Sequence, residues 1–290
     1  MYRYSVVIPY RDTIDLLKKA VASIPDREDI QIIIVDNSIE PLGTAQMPIK
    51  RNASVLYLTS DSSKGAGAAR NVGLAHVEGK FVLFLDADDY FIDDAFLAFD
   101  RYDESGYDIV VFKADSIRLS DGNRSNRHKK ICERVDEFFA SGNEDGLRYL
   151  YPNPYTKLFL SSFVLGGGFR FDETKVSNDV MFSCRTGHAA RRITADNSVV
   201  YMITEGGKNT SLTKSRSAEN QFIRYQVNIE KYLFVESVGR PDLRYELLSY
   251  VVHALVDFGP KEFVKYIKYA RQKKVNVFYG FKLKKILNGL

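Results

Sequence analysis

The chain has 290 residues, 45% hydrophobic and 27% charged, with a formal net charge of +4 and two cysteines, proportions that exclude a disordered, collagen-like or disulfide-built protein. The charge is uneven: residues 261–290 hold nine Lys and Arg against the single acid Glu262, a net +8, which leaves residues 1–260 at −4. No apolar run approaches the ~20 residues that span a bilayer, and the opening MYRYSVVIPYR is too short and too soon broken by arginine for a signal peptide, so a cytoplasmic protein is expected. In chain order, SVVIPY (5–10) is a β-branched run expected as a buried strand. TIDLLKKAVASI (13–24) spaces apolar residues at 14, 17, 21 and 24, one helical face. QIIIVDNS (31–38) and SVLYLT (54–59) are the second and third strands. GAARNVGLAHVEG (67–79) is a helix stopped by Gly79, FVLFL (81–85) the fourth strand, DDAFLAFDRY (93–102) a helix and DIVVFKADSIR (108–118) a further strand. Strands alternating with helices imply right-handed βαβ units and a parallel sheet. Beyond 119 come a polar loop, DGNRSNRHKK (121–130), a glycine bend in VLGGGFRF (164–171) and a late strand in NSVVYMITEGG (197–207); from about 215 the chain is helical.

Parallel sheets bind ligands beyond the carboxyl ends of their strands. Three strands here end in polar residues: Pro9-Tyr10-Arg11-Asp12, Asp36-Asn37-Ser38 and Asp86-Ala87-Asp88-Asp89. In one parallel sheet all three sets line one rim, and that convergence is the signal. The Asp86/Asp88 spacing suits two oxygens on one hard divalent cation, magnesium or manganese. The plain alternative is a helix cap by Asp89 or Asp93. Lys64 and Arg70, within SKGAGAARNVGLA (63–75), are candidates to face a phosphate chain; the alternative for Arg70 is a solvated helix position. Gly65-Ala66-Gly67 is not a dinucleotide fingerprint, because it lacks the third glycine, follows the third strand and has no ribose-binding acid at the right distance. Asp179, in VSNDVMFSCRTGHAA (176–190), opens a helix either as its N-cap or as a general base. The four histidines have no zinc-ligand spacing.

SVVIPYRD, IIIVDNS, SKGAGAARNVGLAHVEGKFVLFLDADD and NDVMF, in that order, resemble glycosyltransferase family 2, the inverting GT-A enzymes. NPYTKLFLSSFVLGGGFRFDE (153–173) is similar to the segment before the base in members that build bacterial surface polysaccharides. The resemblance covers about residues 3–213. It implies an α/β GT-A fold: a mostly parallel Rossmann-like sheet flanked by helices over 1–213 (nucleotide half about 1–118, acceptor half about 119–213), followed by a helical extension over 214–290. It also implies roles: Pro9 and Asp36 line the nucleotide base and Arg70 approaches the base or diphosphate; Arg11 and Lys64 are added to these as donor-binding candidates. Asp86 meets ribose and metal, Asp88 ligates Mn2+ or Mg2+, and Asp179 is the base. Three positions depart from the family pattern: Arg11 replaces a tyrosine, Asn37 an aspartate and Asn178 the glutamate before Asp179. The implied reaction is inverting transfer from a nucleoside-diphosphate sugar, with a UDP-sugar expected, to a hydroxyl of a saccharide or lipid-linked acceptor in surface-glycan synthesis. Competing readings are a phosphohydrolase with Asp86 as nucleophile and a non-catalytic nucleotide-sugar binding module.

In the basic tail, Phe263, Ile267 and Ala270 share one helical face flanked by Tyr266 and Val264, with Lys261, Lys265 and Lys268 opposite. Such a helix either docks its apolar face on the protein or lies on an anionic membrane surface, which would place the protein peripherally at the inner face of the plasma membrane. Nucleic acid is not an expected partner, because the basic residues do not extend over the body of the chain.

Overall fold

The computed structural model describes residues 1–206 and 217–279. Two compact units divide the chain, Met1–Ser211 and Leu212–Leu290; the expected boundary at 213/214 lies outside the described residues. The first unit runs β1 (Tyr4–Tyr10), α1 (Ile14–Ala22), β2 (Ile30–Asp36), β3 (Ser54–Thr59), α2 (Gly65–Leu74), β4 (Phe81–Phe84), β5 (Tyr90–Phe91), α3 (Ala95–Asp100), β6 (Ile109–Arg118), α4 (Lys129–Ser141), α5 (Asp145–Tyr149), β7 (Lys157–Leu160), α6 (Ser161–Gly166), α7 (Val180–Ala189) and β8 (Ile193–Glu205). The second unit holds α8 (Ala218–Ser237), α9 (Leu248–Phe258) and α10 (Pro260–Gln272).

The sheet order is β3-β2-β1-β4-β7-β6-β8-β5. β3, β2, β1 and β4 are mutually parallel, as their continuous apolar runs predict. β2 and β3 lie on one side of β1 and β4 on the other, so the chain reverses its direction of travel across the sheet at β1/β4. The carboxyl ends of β1 and β4 therefore flank a crevice, the usual ligand position of an open α/β sheet. The second half departs from the expected parallel pattern. β7 runs antiparallel to both β4 and β6, while β6 and β8 are parallel and β5 pairs antiparallel with β8. The sheet is thus mixed, because the chain returns through α4 and α5 and enters β7 from the opposite end.

Aromatic side chains fill the space between sheet and helices. Phe171 and Phe182 stack with centroids 3.9 Å apart, and Phe84 meets Phe171 edge-on at 5.0 Å. This contact pins the first turn of α7 and the segment before it onto β4. At the amino end of β1, Asp100 at the end of α3 accepts hydrogen bonds from Arg3 Nη1 (3.0 Å), the Tyr4 hydroxyl (2.9 Å) and Arg27 Nη1 (2.8 Å). Partial burial alone would raise this carboxyl, but the Arg27, Tyr4 and Arg3 hydrogen bonds outweigh it and hold it below its ordinary range.

In the second unit Tyr225 of α8 stacks on Tyr266 of α10 at 4.6 Å, among Ile229, Val251, Ala254 and Ala270. Tyr266, expected at the flank of the apolar face, is at its centre, and Val264 is exposed. The described part of the basic helix therefore docks its apolar face, with Lys261, Lys265 and Lys268 exposed. Lys282, Lys284 and Lys285 lie outside the described residues. No helix among the described residues is long and apolar enough to cross a membrane.

Asp100→Asn is expected to lower stability at pH 7 by about 2 kcal/mol, the scale of hydrogen bonds to a charged group. Because the folded pKa is depressed, this contribution is complete above the unfolded value of about 4 and is lost as pH falls through the folded value. Urea denaturation of both proteins across pH 7 to 3 should show the gap between them closing.

Candidate active site

At the end of β1, Pro9 is half-buried and Arg11 exposed, 3.4 Å from Asp12. At the end of β2, Asp36 is buried and both its oxygens are occupied: Ser38 N–H donates to Oδ1 (2.8 Å) and Leu42 N–H to Oδ2 (3.0 Å). Asp36 thus orders the turn over residues 37–42. Asn37 ties this turn to the end of β3, donating to Ser60 Oγ (2.9 Å) and to the Asp61 carbonyl (2.8 Å).

At the end of β4 the chain makes a tight turn, closed by Asp89 N–H on the Asp86 carbonyl at 3.0 Å. This turn gathers Asp86, Asp88 and Asp89 so that one oxygen from each lies within 4.8 Å of the others. Their surroundings differ. Asp89 is buried; its Oδ1 accepts Thr204 N–H at 2.7 Å and it is hydrogen-bonded to Tyr201. Asp86 is half-buried, and its Oδ1 takes Arg70 Nη2 at 2.6 Å. Asp88 is exposed at the rim. Burial pushes the Asp89 carboxyl well up, and the Asp88 and Asp86 charges add to this. Desolvation and then Asp86 raise Asp88, with Arg127 and Arg70 opposing. The oxygen donors suit a hard cation such as Mg2+ or Mn2+, with Asp88 and Asp86 available and Asp89 already engaged. The capping alternative is not realised: Asp94 occupies the N-cap position of α3 without a side-chain cap, and Asp89 serves Thr204 instead.

Arg70, 6% exposed, is no solvated helix residue. Its Nη1 donates to Asn178 Oδ1 (2.8 Å), its Nη2 to Asp86, and its guanidinium lies 5.3 Å over Phe171. Lys64 is exposed and pairs with Glu173 at 2.9 Å. The glycines of this stretch serve packing. Gly65 has φ +73°, and a Cβ there would stand 2.7 Å from the Thr174 carbonyl oxygen; at Gly67 it would overlap the Asp172 carbonyl oxygen and come within 2.8 Å of Asn178 Cβ. Asn71 completes the clamp, donating to the Phe171 carbonyl (2.9 Å) and accepting from Phe171 N–H (2.8 Å). The stretch of α2 from Gly65 to Asn71 is therefore a platform onto which residues 171–178 dock.

That docked segment delivers Asp179 to the crevice. It occupies the N-cap position of α7 but makes no side-chain cap, so the capping alternative fails here too. It is half-buried; desolvation raises its carboxyl, with Arg70 opposing first and Asp86 adding. The structure thus brings Arg70, Asp86, Asp88 and Asp179 together and sets Lys64 and Arg11 on the exposed margin. Sequence reasoning missed Tyr201, Thr204 and Arg127. The Tyr201 hydroxyl accepts Asp86 N–H at 3.1 Å, and Arg127 Nη1 donates to the Thr204 carbonyl at 3.3 Å. A polar residue closing β8 was a signal for Thr204; nothing in the polar loop marked Arg127.

The profile of the family described as "Glycosyl transferase family 2" matches residues 5–169. The poly(ribitol-phosphate) beta-glucosyltransferase of Bacillus spizizenii is 26% identical over 223 residues, 72% of this chain and 34% of that protein. The poly(ribitol-phosphate) beta-N-acetylglucosaminyltransferase TarS of Staphylococcus aureus is 23% identical over 221 residues, 73% of this chain and 37% of that protein. A Campylobacter jejuni GalNAc(5)-diNAcBac-PP-undecaprenol beta-1,3-glucosyltransferase is 29% identical over 112 residues, 37% of this chain and 36% of that protein. The chain spans about a third of the length of these relatives. Among solved structures, S. aureus TarS 1-349 in complex with UDP-GlcNAc aligns with a TM-score of 0.67 at 17% identity, covering 93% of this chain and 81% of that one. The Pyrobaculum calidifontis mannosyltransferase PcManGT in complex with GDP-Man and Mn2+ aligns with a TM-score of 0.56 at 14% identity, covering 99% and 78%. These likenesses establish the GT-A fold.

A glycine-to-alanine change inside a helix ordinarily gains up to about 1 kcal/mol. Gly67→Ala is expected to reverse that sign and lose about 2 kcal/mol, because the methyl group overpacks the 172–178 segment. Guanidinium denaturation of the variant decides the sign.

Proposed function

The chain belongs to glycosyl transferase family 2, and on that premise we propose that it is an inverting transferase. It moves a sugar from a nucleoside-diphosphate sugar, with a UDP-sugar first among these, to a hydroxyl of a saccharide or lipid-linked saccharide acceptor in surface-glycan synthesis. The observation that carries this reading is the Arg70 bridge, with Asp86 on one guanidinium nitrogen and Asn178, the neighbour of Asp179, on the other. One buried cation thereby joins the donor-side acid to the segment bearing the base. The relatives support the substrate class: two act by name on poly(ribitol-phosphate), one on an undecaprenol-linked saccharide, and TarS is complexed with UDP-GlcNAc.

In this mechanism Pro9 and the turn ordered by Asp36 line the nucleotide base, with Arg11 at its margin. The acceptor hydroxyl gives its proton to an Asp179 carboxylate oxygen as that hydroxyl oxygen bonds to the anomeric carbon. The bond from that carbon to the diphosphate breaks on the opposite face, and its electron pair leaves with the phosphate oxygen. Arg127 and Arg70 stand as positive charge near the departing anion. Lys64 joins them by exchanging Glu173 for a phosphate, a small cost for an exposed ion pair. When bound on Asp88 and Asp86, Mn2+ or Mg2+ supplies Lewis-acid charge to the diphosphate. A hydroxyl is a poor nucleophile at neutral pH, so the base contributes about 10²–10⁴ in rate.

The basic segment 261–290 completes the proposal as a peripheral contact with anionic lipid at the inner membrane face. Each basic residue near such a surface is worth ~1 kcal/mol. Lys261 and Lys268 are exposed on α10 and available for it.

Asp179→Asn should bind UDP as the wild type does and lose turnover by about 10²–10⁴. Because its pKa is raised, Asp179 gains a proton above the ordinary carboxylate value of about 4, so kcat should fall on an acid limb displaced upward from that value. Isothermal titration and a pH–rate profile check both. Lys261→Gln with Lys268→Gln should weaken binding to phosphatidylserine vesicles by roughly 30-fold, read by co-sedimentation.

A further inference from the structure

We propose that Thr204 is a positioning residue that fixes the carboxylate of Asp88 and the guanidinium of Arg127 to one rigid point at the end of β8. The inference rests on the reading that Asp88 holds a cation beside the donor diphosphate. Thr204 is 4% exposed, and all three of its polar groups are directed at the site's own residues. Its N–H donates to Asp89 Oδ1 at 2.7 Å, its hydroxyl donates to the Asp88 carbonyl at 2.6 Å, and its carbonyl accepts from Arg127 Nη1 at 3.3 Å.

The strand beneath is well suited to this task. β8 is bonded on one side to β6, where Thr204 pairs with Ile117, and on the other to β5, where Met202 pairs with Tyr90. β5 begins at the residue after Asp89, so the acidic turn is tied to β8 immediately beyond its end as well as through Thr204. Three residues earlier, the Tyr201 hydroxyl accepts Asp86 N–H.

Strand propensity does not account for this residue. At a buried strand position valine satisfies the β-branched preference without a hydroxyl to desolvate. A threonine is explained when its hydroxyl is used, and here it is spent on the carbonyl of Asp88 itself. Without that donor the Asp88–Asp89 peptide loses its anchor on one side, and the Asp88 side chain turns with it. Arg127 is held through the Thr204 backbone, so a side-chain change at 204 separates the two arms: the Asp88 arm loosens and the Arg127 arm stays.

The test compares Thr204→Ser with Thr204→Ala, which differ from each other by one hydroxyl and share the lost methyl group. UDP binding is measured by calorimetry with and without Mn2+, at a temperature where both variants are folded. With Mn2+, the serine variant is expected within twofold of wild type and the alanine variant about tenfold weaker, the size of one buried hydrogen bond. Without Mn2+ the two variants should bind UDP alike. Equal affinities with Mn2+, or the same gap without it, overturn the inference while leaving the donor reading intact. Failure of the wild type to bind UDP with Mn2+ overturns the donor reading and this inference with it. Should the alanine variant not fold, Thr204→Val keeps the volume, lacks the hydroxyl and takes its place against serine.

Discussion

Three carboxylates meet where β4 ends, and their mutual repulsion is the constraint to which the site is built. At ~5 Å and an effective dielectric of ~20, each pair costs on the order of 3 kcal/mol. Each acid is relieved differently. Asp89 is buried beside Tyr201 and the Thr204 amide, both of which hydrogen-bond it, while burial pushes its carboxyl well up. Asp86 gives one oxygen to Arg70. Asp88 stays exposed, and Asp86 bears on it directly. In the proposed reaction a cation held by Asp88 and Asp86 offsets what remains of this repulsion.

The same arginine that relieves Asp86 ties it to the other half of the crevice. Arg70 is nearly buried, and its position depends on α2 lying against residues 171–178 at a separation only glycine permits at 65 and 67. Asn71 and the Phe171–Phe182 stack hold that segment from two more sides. Fold stability and the placement of Asp179 therefore draw on the same contacts. A change that loosens the platform displaces Asp179 without touching it.

Much of this was legible in the sequence, and the limits have physical causes. The apolar runs of β1, β2 and β4 announced buried parallel strands, and their polar endings announced the rim. The acid turn was legible because it breaks the apolar run of β4, and Asp179 because it opens an apolar helical segment after Ser177-Asn178. The reversed direction of β7 was not: four residues between a loop and a short helix carry no signal of strand direction. Nor were the partners of Arg70 and Asp89, because Asn178 lies 108 residues from Arg70 and Thr204 lies 115 from Asp89. Asp89 looked like a helix cap because local patterns reveal local partners only. The sequence argued against a dinucleotide fingerprint at glycines 65 and 67, but the close approach they allow to residues 172–178 is a tertiary fact.

Anomalous diffraction from crystals soaked with Mn2+ and UDP tests the central claim most directly. The account predicts one manganese peak bonded to Asp88 and to diphosphate oxygens, beside the Arg70–Asp86 pair. Ordered UDP with no manganese at the acidic turn, or manganese bound elsewhere, would contradict it.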